Sequence, residues 1–332
     1  MKAILNHLFE QKTFNQAESK EILKNISLGK YNSSQMAAFM TAYGMRGITV
    51  DELQGFRDAM LELCVPVNIN SEFELVDLCG TGGDGKDTFN ISTLASFVVA
   101  GAGYQVAKHG NYGVSSGCGS SNVMEYLGYK FTNDVDLLKK SIDQAGICFL
   151  HAPLFHSAMK TVAPIRRELG VKTFFNMLGP MVNPAQPQNQ IVGVFSLELA
   201  RLYAYLYQQS TINYTILHAL EGYDEISLTC DFKTFSNKGE QIHTIQSLGF
   251  EQIEANTISG GSTVEESAKI FKDVLTGLGT IAQQNVVLCN AAMAIKTIDQ
   301  DKAFADCFYE AENALLSKKA LKSFEKLIAL SN

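Results

Sequence analysis

Residues 73–85 have the sequence FELVDLCGTGGDG, in which a short apolar segment, predicted to be a β-strand, runs directly into a glycine-rich loop. Glycine admits backbone conformations that other residues avoid. The N–H groups of such a loop, together with the start of a following helix, form a cradle for an anion. The loop matches neither G-x-x-x-x-G-K-[ST] nor G-x-G-x-x-G, so the sequence indicates neither a P-loop nucleotidase nor a dinucleotide-binding protein.

Strands and helices alternate on the C-terminal side of this loop. An apolar helix is predicted near residues 92–102, and a second helix near residues 122–127 follows a Gly/Ser loop. Further strands are predicted at residues 104–108, 191–195, 214–219 and 241–245. This order favours an α/β domain with a central, mainly parallel sheet.

Only helices are predicted on the N-terminal side of the loop. The pairs Asn15 with Glu18 and Thr49 with Glu52 have the spacing of capping boxes, in which side chains bind the free N–H groups at a helix start. The length of 332 residues suggests about two domains. We therefore expect a small helical N-terminal domain over residues 1–70 and a larger α/β domain over residues 71–332.

Composition excludes several classes of protein. The net charge of −7 disfavours unspecific nucleic-acid binding, which needs a positive surface. The seven cysteines include no C-x-x-C pair, so they indicate reduced thiols rather than a zinc site or a disulfide framework. No signal peptide is apparent, and the longest apolar stretch, residues 94–107, is shorter than the ~20 residues of a membrane span. We expect a soluble cytoplasmic protein.

Polar residues suited to a sugar phosphate and a metal follow the predicted strands. Asp84 lies in the glycine loop, and residues 90–93 add an amide and two hydroxyls at a helix start. Lys108 ends the second strand, where ligands gather in open α/β sheets, and it can act as a point charge on phosphate. The adjacent carboxylates of Asp224 and Glu225 suit Mg²⁺. Each feature alone is equally well explained as a solvated turn.

A basic stretch with a single opposing Glu168 lies further along the chain. It is either an ordinary charged helix face or the place of an arginine aimed at a substrate carboxylate, for which the guanidinium fork is suited. The stretch consists of Lys160, Arg166, Arg167 and Lys172. His151 and His156 are five residues apart, whereas a zinc pair on one helix face would be four apart, so we do not predict a zinc site here.

Nine segments in order resemble the anthranilate phosphoribosyltransferases of glycosyltransferase family 3, which act in tryptophan biosynthesis. The segments are Gly80-Thr81-Gly82-Gly83-Asp84, Asn90-Ile91-Ser92-Thr93, Lys108-His109-Gly110-Asn111, Ser115-Ser116 with Gly119-Ser120, residues 156–164, residues 166–170, residues 173–180, Asn183-Pro184-Ala185 and Asp224-Glu225. One such segment would be a weak signal, but nine in register over nearly the whole chain are specific.

The resemblance implies the fold and the reaction. It implies a homodimer built through the helical domains, and an active site in the cleft between the helical and α/β domains. In the implied reaction, anthranilate and phosphoribosyl pyrophosphate give phosphoribosyl-anthranilate and pyrophosphate, with Mg²⁺ as cofactor. An aromatic amine is already neutral at pH 7, so we assign no general base and expect positioning to supply much of the rate.

The resemblance also implies the site residues. Metal binding is expected from Ser92, Asp224 and Glu225. Anthranilate binding is expected from Gly80, Asn111, His156 and Arg166. Phosphoribosyl pyrophosphate binding is expected from Gly80, Gly83, Asp84, Thr88, Asn90, Ile91, Ser92, Thr93, Lys108, His109, Gly110, Asn111, Tyr112, Gly113, Val114, Ser115, Ser116 and Ser120.

The chain departs from the family pattern in the loop after residue 111. Gly117, Cys118 and Asn122 stand where the family often has Lys, Ser and Asp, and Tyr112 stands where arginine is common. Either Lys108 then supplies more of the local positive charge, or the affinity for phosphoribosyl pyrophosphate is lower. Asn122 is expected to keep its role at a helix start, because asparagine caps about as well as aspartate.

Two other functions compete with this interpretation. A pyrimidine nucleoside phosphorylase shares the two-domain plan and a glycine-rich phosphate loop, but residues 156–170 and the acidic pair at 224–225 favour the transferase. A fold relative that binds nucleic acid without catalysis is disfavoured by the net charge and by the intact acidic pair.

Overall fold

A computed structural model describes residues 1–113, 117–157 and 159–332. The helices are α1 (Lys2–Phe9), α2 (Gln16–Ser27), α3 (Ser33–Arg46), α4 (Val50–Leu63), α5 (Ile91–Gly101), α6 (Ser120–Tyr126), α7 (Val135–Ala145), α8 (Ala152–Phe155), α9 (Met159–Leu169), α10 (Leu197–Tyr207), α11 (Val264–Thr276), α12 (Ile281–Ile298), α13 (Phe304–Leu316) and α14 (Lys319–Ser331). The strands are β1 (Leu75–Gly80), β2 (Gln105–Gly110), β3 (Ile147–His151), β4 (Asn189–Gly193), β5 (Asn213–Ala219), β6 (Phe232–Ser236) and β7 (Gly239–His243). No helix within those ranges is long and apolar enough to cross a membrane.

The chain forms two compact units. The first comprises residues 1–67 and 152–184, and the second comprises residues 68–151 and 185–332. This division differs from the expected boundary at residue 70, because residues 152–184 leave the α/β part of the sequence and pack with the N-terminal helices. No local sequence pattern in residues 152–184 predicts that they pack with the N-terminal helices.

Aromatic rings join the two segments of the first unit. Phe174 stacks on Phe56 with ring centroids 4.7 Å apart, meets Phe39 edge to face at 5.9 Å, and lies tilted against Tyr43 at 5.1 Å. All four side chains are buried. Burial of these large rings stabilises the packing of residues 152–184 against residues 1–67. The edge-to-face geometry adds to that stabilisation.

The predicted capping boxes are confirmed. Asn15 accepts from the N–H of Glu18 at 2.9 Å, and the Glu18 carboxylate accepts from the N–H of Asn15 at 3.0 Å. Thr49 and Glu52 form the same reciprocal pair at the start of α4. These bonds satisfy N–H groups that a helix start leaves free, so the local sequence alone determines where α2 and α4 begin.

The Glu52 carboxylate also lies in a buried ion cluster. Both of its oxygens accept from Arg46 Nη2 at 2.7 Å, and Oε1 accepts from the Tyr43 hydroxyl at 3.2 Å. The Glu52 side chain is fully buried and that of Arg46 is nearly so. A buried carboxylate is tolerated when a cation and hydrogen bonds compensate its lost hydration, and here all the compensation comes from the protein itself.

The second unit contains one seven-stranded sheet with the order β3-β2-β1-β4-β5-β6-β7. β1 to β5 pair in parallel, and β6 and β7 are antiparallel. The expected mainly parallel sheet is therefore confirmed. The order reverses at β1, which lies between β2 and β4, and in such sheets ligands bind beyond the carboxyl ends of the strands at that switch point.

Candidate active site

The glycine loop follows β1 at this switch point and connects it to α5. Gly82, Gly83 and Gly85 have φ values of 64°, 76° and 71°, which side chains with a Cβ rarely adopt. The Asp84 Oδ1 atom accepts from the N–H of Lys86 at 3.1 Å. Asp84 Oδ2 and Thr81 Oγ1 are buried and have no hydrogen-bond partner among the described residues. Buried polar atoms of this kind indicate the place of a ligand.

The acidic pair contacts this loop directly. Asp224 Oδ2 accepts from the N–H of Gly82 at 2.7 Å, and Glu225 Oε1 accepts from the N–H of Ser92 at 3.2 Å, in the first turn of α5. The structure therefore brings together Ser92, Asp224 and Glu225, the three residues expected to bind metal. Gly82 and Asp224 lie 142 positions apart in the sequence, and this hydrogen bond joins them.

The electrostatics of the pair are unfavourable in the absence of a cation. Burial, reinforced by the charges of Glu225 and Asp84, raises the pKa of Asp224 well above its usual range. Burial raises the pKa of Glu225 to about 7, although the ammonium of Lys108 and the N–H of Ser92 oppose that rise. Each carboxylate is thus destabilised in its charged form, and a bound cation would relieve that penalty.

Two glycines allow the acidic pair to sit this close to the sheet. A Cβ at Gly80 would overlap the Asp224 carboxylate, and a Cβ at Gly193, at the end of β4, would overlap the Asp224 backbone carbonyl. No rotamer change can relieve the second clash, because it involves backbone only. The position of Asp224 thus depends on the absence of a side chain on two adjacent strands.

Asn290 fixes the backbone just after the pair. Its Oδ1 atom accepts from the N–H of Ile226 at 3.1 Å, and its Nδ2 donates to the carbonyl of Ile226 at 2.9 Å. Asn290 is buried in α12, where most neighbours are apolar. Sequence reasoning missed this residue, although a lone amide in an apolar helix is a usable signal, since buried amides need partners.

Lys108 is placed differently from a surface phosphate-binding lysine. Its side chain is 2% exposed, and Nζ donates to the carbonyl of Leu78 at 2.6 Å and lies 3.4 Å from the Ser92 hydroxyl. Burial lowers the pKa of Lys108, while the charges of Asp77, Cys79 and Glu225 raise it. The ammonium in this structure acts on Ser92 and Glu225 rather than facing open solvent.

Asp77 supports the residue that follows Lys108. This fully buried carboxylate, in the middle of β1, accepts from the N–H of His109 at 3.1 Å and from Gln190 at 3.2 Å. Sequence reasoning placed Asp77 only as part of a strand. A carboxylate inside an apolar strand predicts that neighbouring groups donate hydrogen bonds to it, since a buried charge needs partners.

The loop after β2 is held by the start of α6. The N–H of Asn111 donates to the Ser120 hydroxyl at 3.2 Å, and Asn122 Oδ1 accepts from the N–H groups of Gly113 and Gly119 at 2.9 and 3.0 Å. Asn122 is the third residue of α6, so it secures the helix start from inside the first turn rather than as the residue preceding the helix. The expected Val114, Ser115 and Ser116 lie outside the described residues.

Tyr112 packs into an aromatic cluster and contacts a carboxylate of the chain itself. Its ring meets that of His151 at 4.8 Å between centroids, and His151 stacks on Phe131 at 4.1 Å. The Tyr112 hydroxyl donates to Glu125 at 3.3 Å. The tyrosine therefore contributes packing and a polar tie to α6 at a position where the family often has a cation.

Arg166 and His156 belong to the first unit, whereas Gly80 and Asn111 belong to the second. Arg166 Nη2 donates to Asn176 Oδ1 at 3.3 Å, and the guanidinium lies 5.6 Å from the centre of the Phe175 ring. Burial lowers the pKa of Arg166. Within residues 1–113, 117–157 and 159–332 no carboxylate forms an ion pair with this arginine, so a partly buried cation is oriented but not neutralised.

His156 is buried and electrically neutral near pH 7. Burial lowers its pKa to about 4, and a hydrogen bond with the backbone of Val182 offsets part of that effect. His151 ends β3, and its Nδ1 atom lies 2.8 Å from the Ser121 hydroxyl. The two histidines thus have different partners.

The donor set suits Mg²⁺. Two carboxylates and one hydroxyl are hard oxygen ligands, and Mg²⁺ usually takes one or two carboxylates with water and substrate oxygens for the rest. No group of three or more His, Cys, Asp or Glu side chains that could hold a metal occurs in the described parts of the chain. An all-protein cage is therefore absent there, and a cation shared with a phosphorylated substrate fits the residues present.

Known proteins support the same family from sequence and from structure. The α/β domain model of a glycosyl transferase family matches residues 72–321, and its helical bundle domain model matches residues 2–64. The anthranilate phosphoribosyltransferase of Christiangramia forsetii is 60% identical over 100% of this chain and 99% of its own length. That of Flavobacterium psychrophilum is also 60% identical, over 100% of both chains.

Solved structures agree in fold. The anthranilate phosphoribosyltransferase of Thermus thermophilus has a TM-score of 0.91 at 29% identity, covering 99% of both chains. The Saccharomyces cerevisiae enzyme in complex with phosphoribosyl pyrophosphate and Mg has a TM-score of 0.89 at 25% identity, covering 99% of this chain and 97% of that one. The chain therefore belongs to the anthranilate phosphoribosyltransferase family.

Proposed function

We propose that this protein transfers the phosphoribosyl group of phosphoribosyl pyrophosphate to the amine of anthranilate, as a step of tryptophan biosynthesis. The bond from ribose C1 to the pyrophosphate oxygen breaks, and its electron pair leaves with pyrophosphate. The anthranilate nitrogen donates its lone pair to C1 and then loses one proton. The products are N-(5-phosphoribosyl)-anthranilate and pyrophosphate.

The contact between Gly82 and Asp224 supports this proposal most strongly. It joins a glycine loop suited to phosphate with a carboxylate pair suited to Mg²⁺, and this combination serves a diphosphate leaving group. Inorganic phosphate or a nucleic acid would not require both features at one place.

The residues of the chain act by holding charge and geometry. Ser92, Asp224 and Glu225 would bind Mg²⁺, which when bound neutralises charge on the diphosphate. The buried and unpartnered Asp84 Oδ2 and Thr81 Oγ1 are available to polar groups of phosphoribosyl pyrophosphate. The other proposed contacts with phosphoribosyl pyrophosphate are the residues that the family resemblance implies for this substrate. Developing negative charge on the leaving group would be stabilised electrostatically by these groups.

Arg166 is the proposed partner of the anthranilate carboxylate. It is oriented by Asn176 and Phe175 and has no protein carboxylate in ion-pair contact among the described residues. A partly buried guanidinium in this state favours a planar carboxylate that can accept two parallel hydrogen bonds. The neutral His156 offers an aromatic, uncharged surface, which suits the ring of anthranilate better than a charged one.

The proposal extends to assembly and location. We propose a homodimer formed through the helical N-terminal domain, residues 1–70, with residues 71–332 as the phosphoribosyltransferase domain, and a cytoplasmic enzyme that uses Mg²⁺. These statements rest on the family resemblance. Light scattering coupled to size exclusion would test the dimer directly.

Loss of anthranilate fluorescence tests the reaction. Purified protein, phosphoribosyl pyrophosphate and Mg²⁺ are mixed with anthranilate, and each component is omitted in turn. We expect fluorescence to fall only when all are present. A folded protein that leaves the fluorescence unchanged would contradict the proposal, and phosphorolysis of uridine or thymidine would then be assayed.

A further inference from the structure

The proposed substrate site contains little positive charge. Phosphoribosyl pyrophosphate carries several negative charges, and the site adds the carboxylates of Asp84, Asp224 and Glu225. Across residues 80–93, 108–122 and 222–225, the only lysines or arginines in the sequence are Lys86 and Lys108. A further cation is therefore valuable here, since binding a polyanion beside three carboxylates is opposed by their repulsion.

We infer that Lys86 is a further substrate-binding residue, whose ammonium pairs with a phosphate group of phosphoribosyl pyrophosphate. The inference rests on the proposed function. Lys86 is not among the site residues that the family resemblance implies. Lys86 lies inside the glycine loop, between Asp84 and Thr88, both expected to contact this substrate. Its backbone N–H is fixed by Asp84, so the start of its side chain has a defined position.

The Lys86 side chain lies against the residues next to the acidic pair. Its Nζ is 4.6 Å from the centre of the Tyr223 ring, and Tyr223 directly precedes Asp224. A Cβ built on Gly222 would meet the Lys86 Cε at 3.9 Å. The ammonium is thus held beside the proposed Mg²⁺ ligands by a cation–π contact, which is weak enough at an exposed side chain to be exchanged for a phosphate.

Lys86 is also accessible, whereas Lys108 is not. Lys86 is exposed, and no carboxylate forms an ion pair with it in the described ranges of the chain. Lys108 Nζ already donates to the carbonyl of Leu78 in β1 and lies 3.4 Å from the hydroxyl of Ser92 in α5. A lysine on a flexible four-carbon stem can follow a phosphate without a change in the loop backbone. Lys86 therefore supplies the charge that Tyr112 and Gly117 do not.

Lys86→Met tests this assignment, with Lys322→Met as the matched control. Both substitutions remove one exposed lysine. Lys322 lies on α14, whose start packs against Gly101 at the far end of α5 from the glycine loop. We expect Lys86→Met to weaken binding of phosphoribosyl pyrophosphate about tenfold, both as KM and as Kd by calorimetry with Mg²⁺ present.

Four further readouts distinguish substrate binding from a structural role. The KM for anthranilate and the melting temperature should stay at wild-type values. Lys86→Arg should restore most of the affinity, since it keeps the charge. The ratio of mutant to wild-type KM should shrink as salt is raised from low concentration, because an accessible ion pair is screened.

Several results would overturn the inference. Binding of phosphoribosyl pyrophosphate by Lys86→Met within twofold of wild type at low salt would do so, as would an equal loss in Lys322→Met. Calorimetry needs no turnover, so it tests Lys86 even if the wild-type protein fails to consume anthranilate. A wild-type protein that binds no phosphoribosyl pyrophosphate would remove both the inference and the proposed function.

Discussion

The two compact units each contain buried carboxylates, and they differ in how far neighbouring groups compensate the negative charge. In the first unit, Glu52 is fully buried but receives Arg46, Tyr43 and backbone N–H groups. In the second unit, Asp224 and Glu225 are close together, and burial raises the pKa of both. A charge satisfied by the protein serves architecture, whereas a charge left in deficit marks a place for an external partner.

The same contrast separates two arginines of the first unit. Arg46 contacts both oxygens of Glu52, whereas Arg166 has an amide and a ring beside it but no carboxylate in ion-pair contact among the residues described. Their neighbours, rather than their burial alone, distinguish a structural cation from a binding one. Four variants probe the two kinds of site, and they are given in order of decreasing expected effect.

Glu52→Gln should cost the most free energy. Removing one partner of a buried pair leaves Arg46 buried without a counter-charge, which typically costs about 3–5 kcal/mol. Urea denaturation followed by circular dichroism measures the loss. The turnover of the folded fraction should remain near wild type, and a loss of activity without a loss of stability would contradict the architectural role.

Asp224→Asn combined with Glu225→Gln should show the reverse pattern. We expect kcat to fall about 100-fold or more and the Mg²⁺ response to weaken, because charge stabilisation of the leaving group is lost. The free energy of unfolding should hold or increase, since two destabilised carboxylates are removed. A double mutant with the wild-type Mg²⁺ response would place the metal elsewhere.

Arg166→Ala should act on one substrate only. We expect the KM for anthranilate to rise about tenfold, as for the loss of a charged hydrogen bond, while the KM for phosphoribosyl pyrophosphate changes little. Steady-state kinetics with each substrate varied in turn measures both. An unchanged anthranilate KM would refute the proposed carboxylate contact.

Tyr112→Phe should have the smallest effect. It removes only the hydrogen bond to the exposed Glu125 and keeps the ring on His151. We expect at most about a fivefold rise in the KM for phosphoribosyl pyrophosphate, because a single exposed hydrogen bond contributes about 1 kcal/mol or less. Tyr112→Ala is the paired variant, and it should be worse because it also empties the aromatic cluster. Equal kinetics in the two variants would show that the cluster does not position the loop.

Much of the architecture could be predicted because its signals are local. Capping boxes act between residues three apart, and the predicted strands are apolar runs bounded by glycine loops, so α2, α4, β1 and β2 lie close to the expected positions. Neither β3 nor β6 was predicted from the sequence. β3 is a fully buried five-residue run, which periodicity alone cannot separate from a helix.

The arrangement of the site was harder to predict than its composition. The segments carrying Gly82 and Asp224 could be recognised separately, but their contact depends on strand order. Burial of Lys108 follows from its place in the central part of the sheet, beside β1, and residue type does not reveal it. The packing of Phe174 on Phe56 likewise joins residues more than 100 positions apart.

Gly193 has a consequence for how this enzyme can change. Gly193 has no side chain, which leaves space for the main chain of Asp224. An alanine at this position would therefore displace the acidic pair. Under the proposed function, libraries that vary Gly193 or Gly80 would therefore consist largely of inactive members. The most restrictive positions in the catalytic design are two that present no functional group at all.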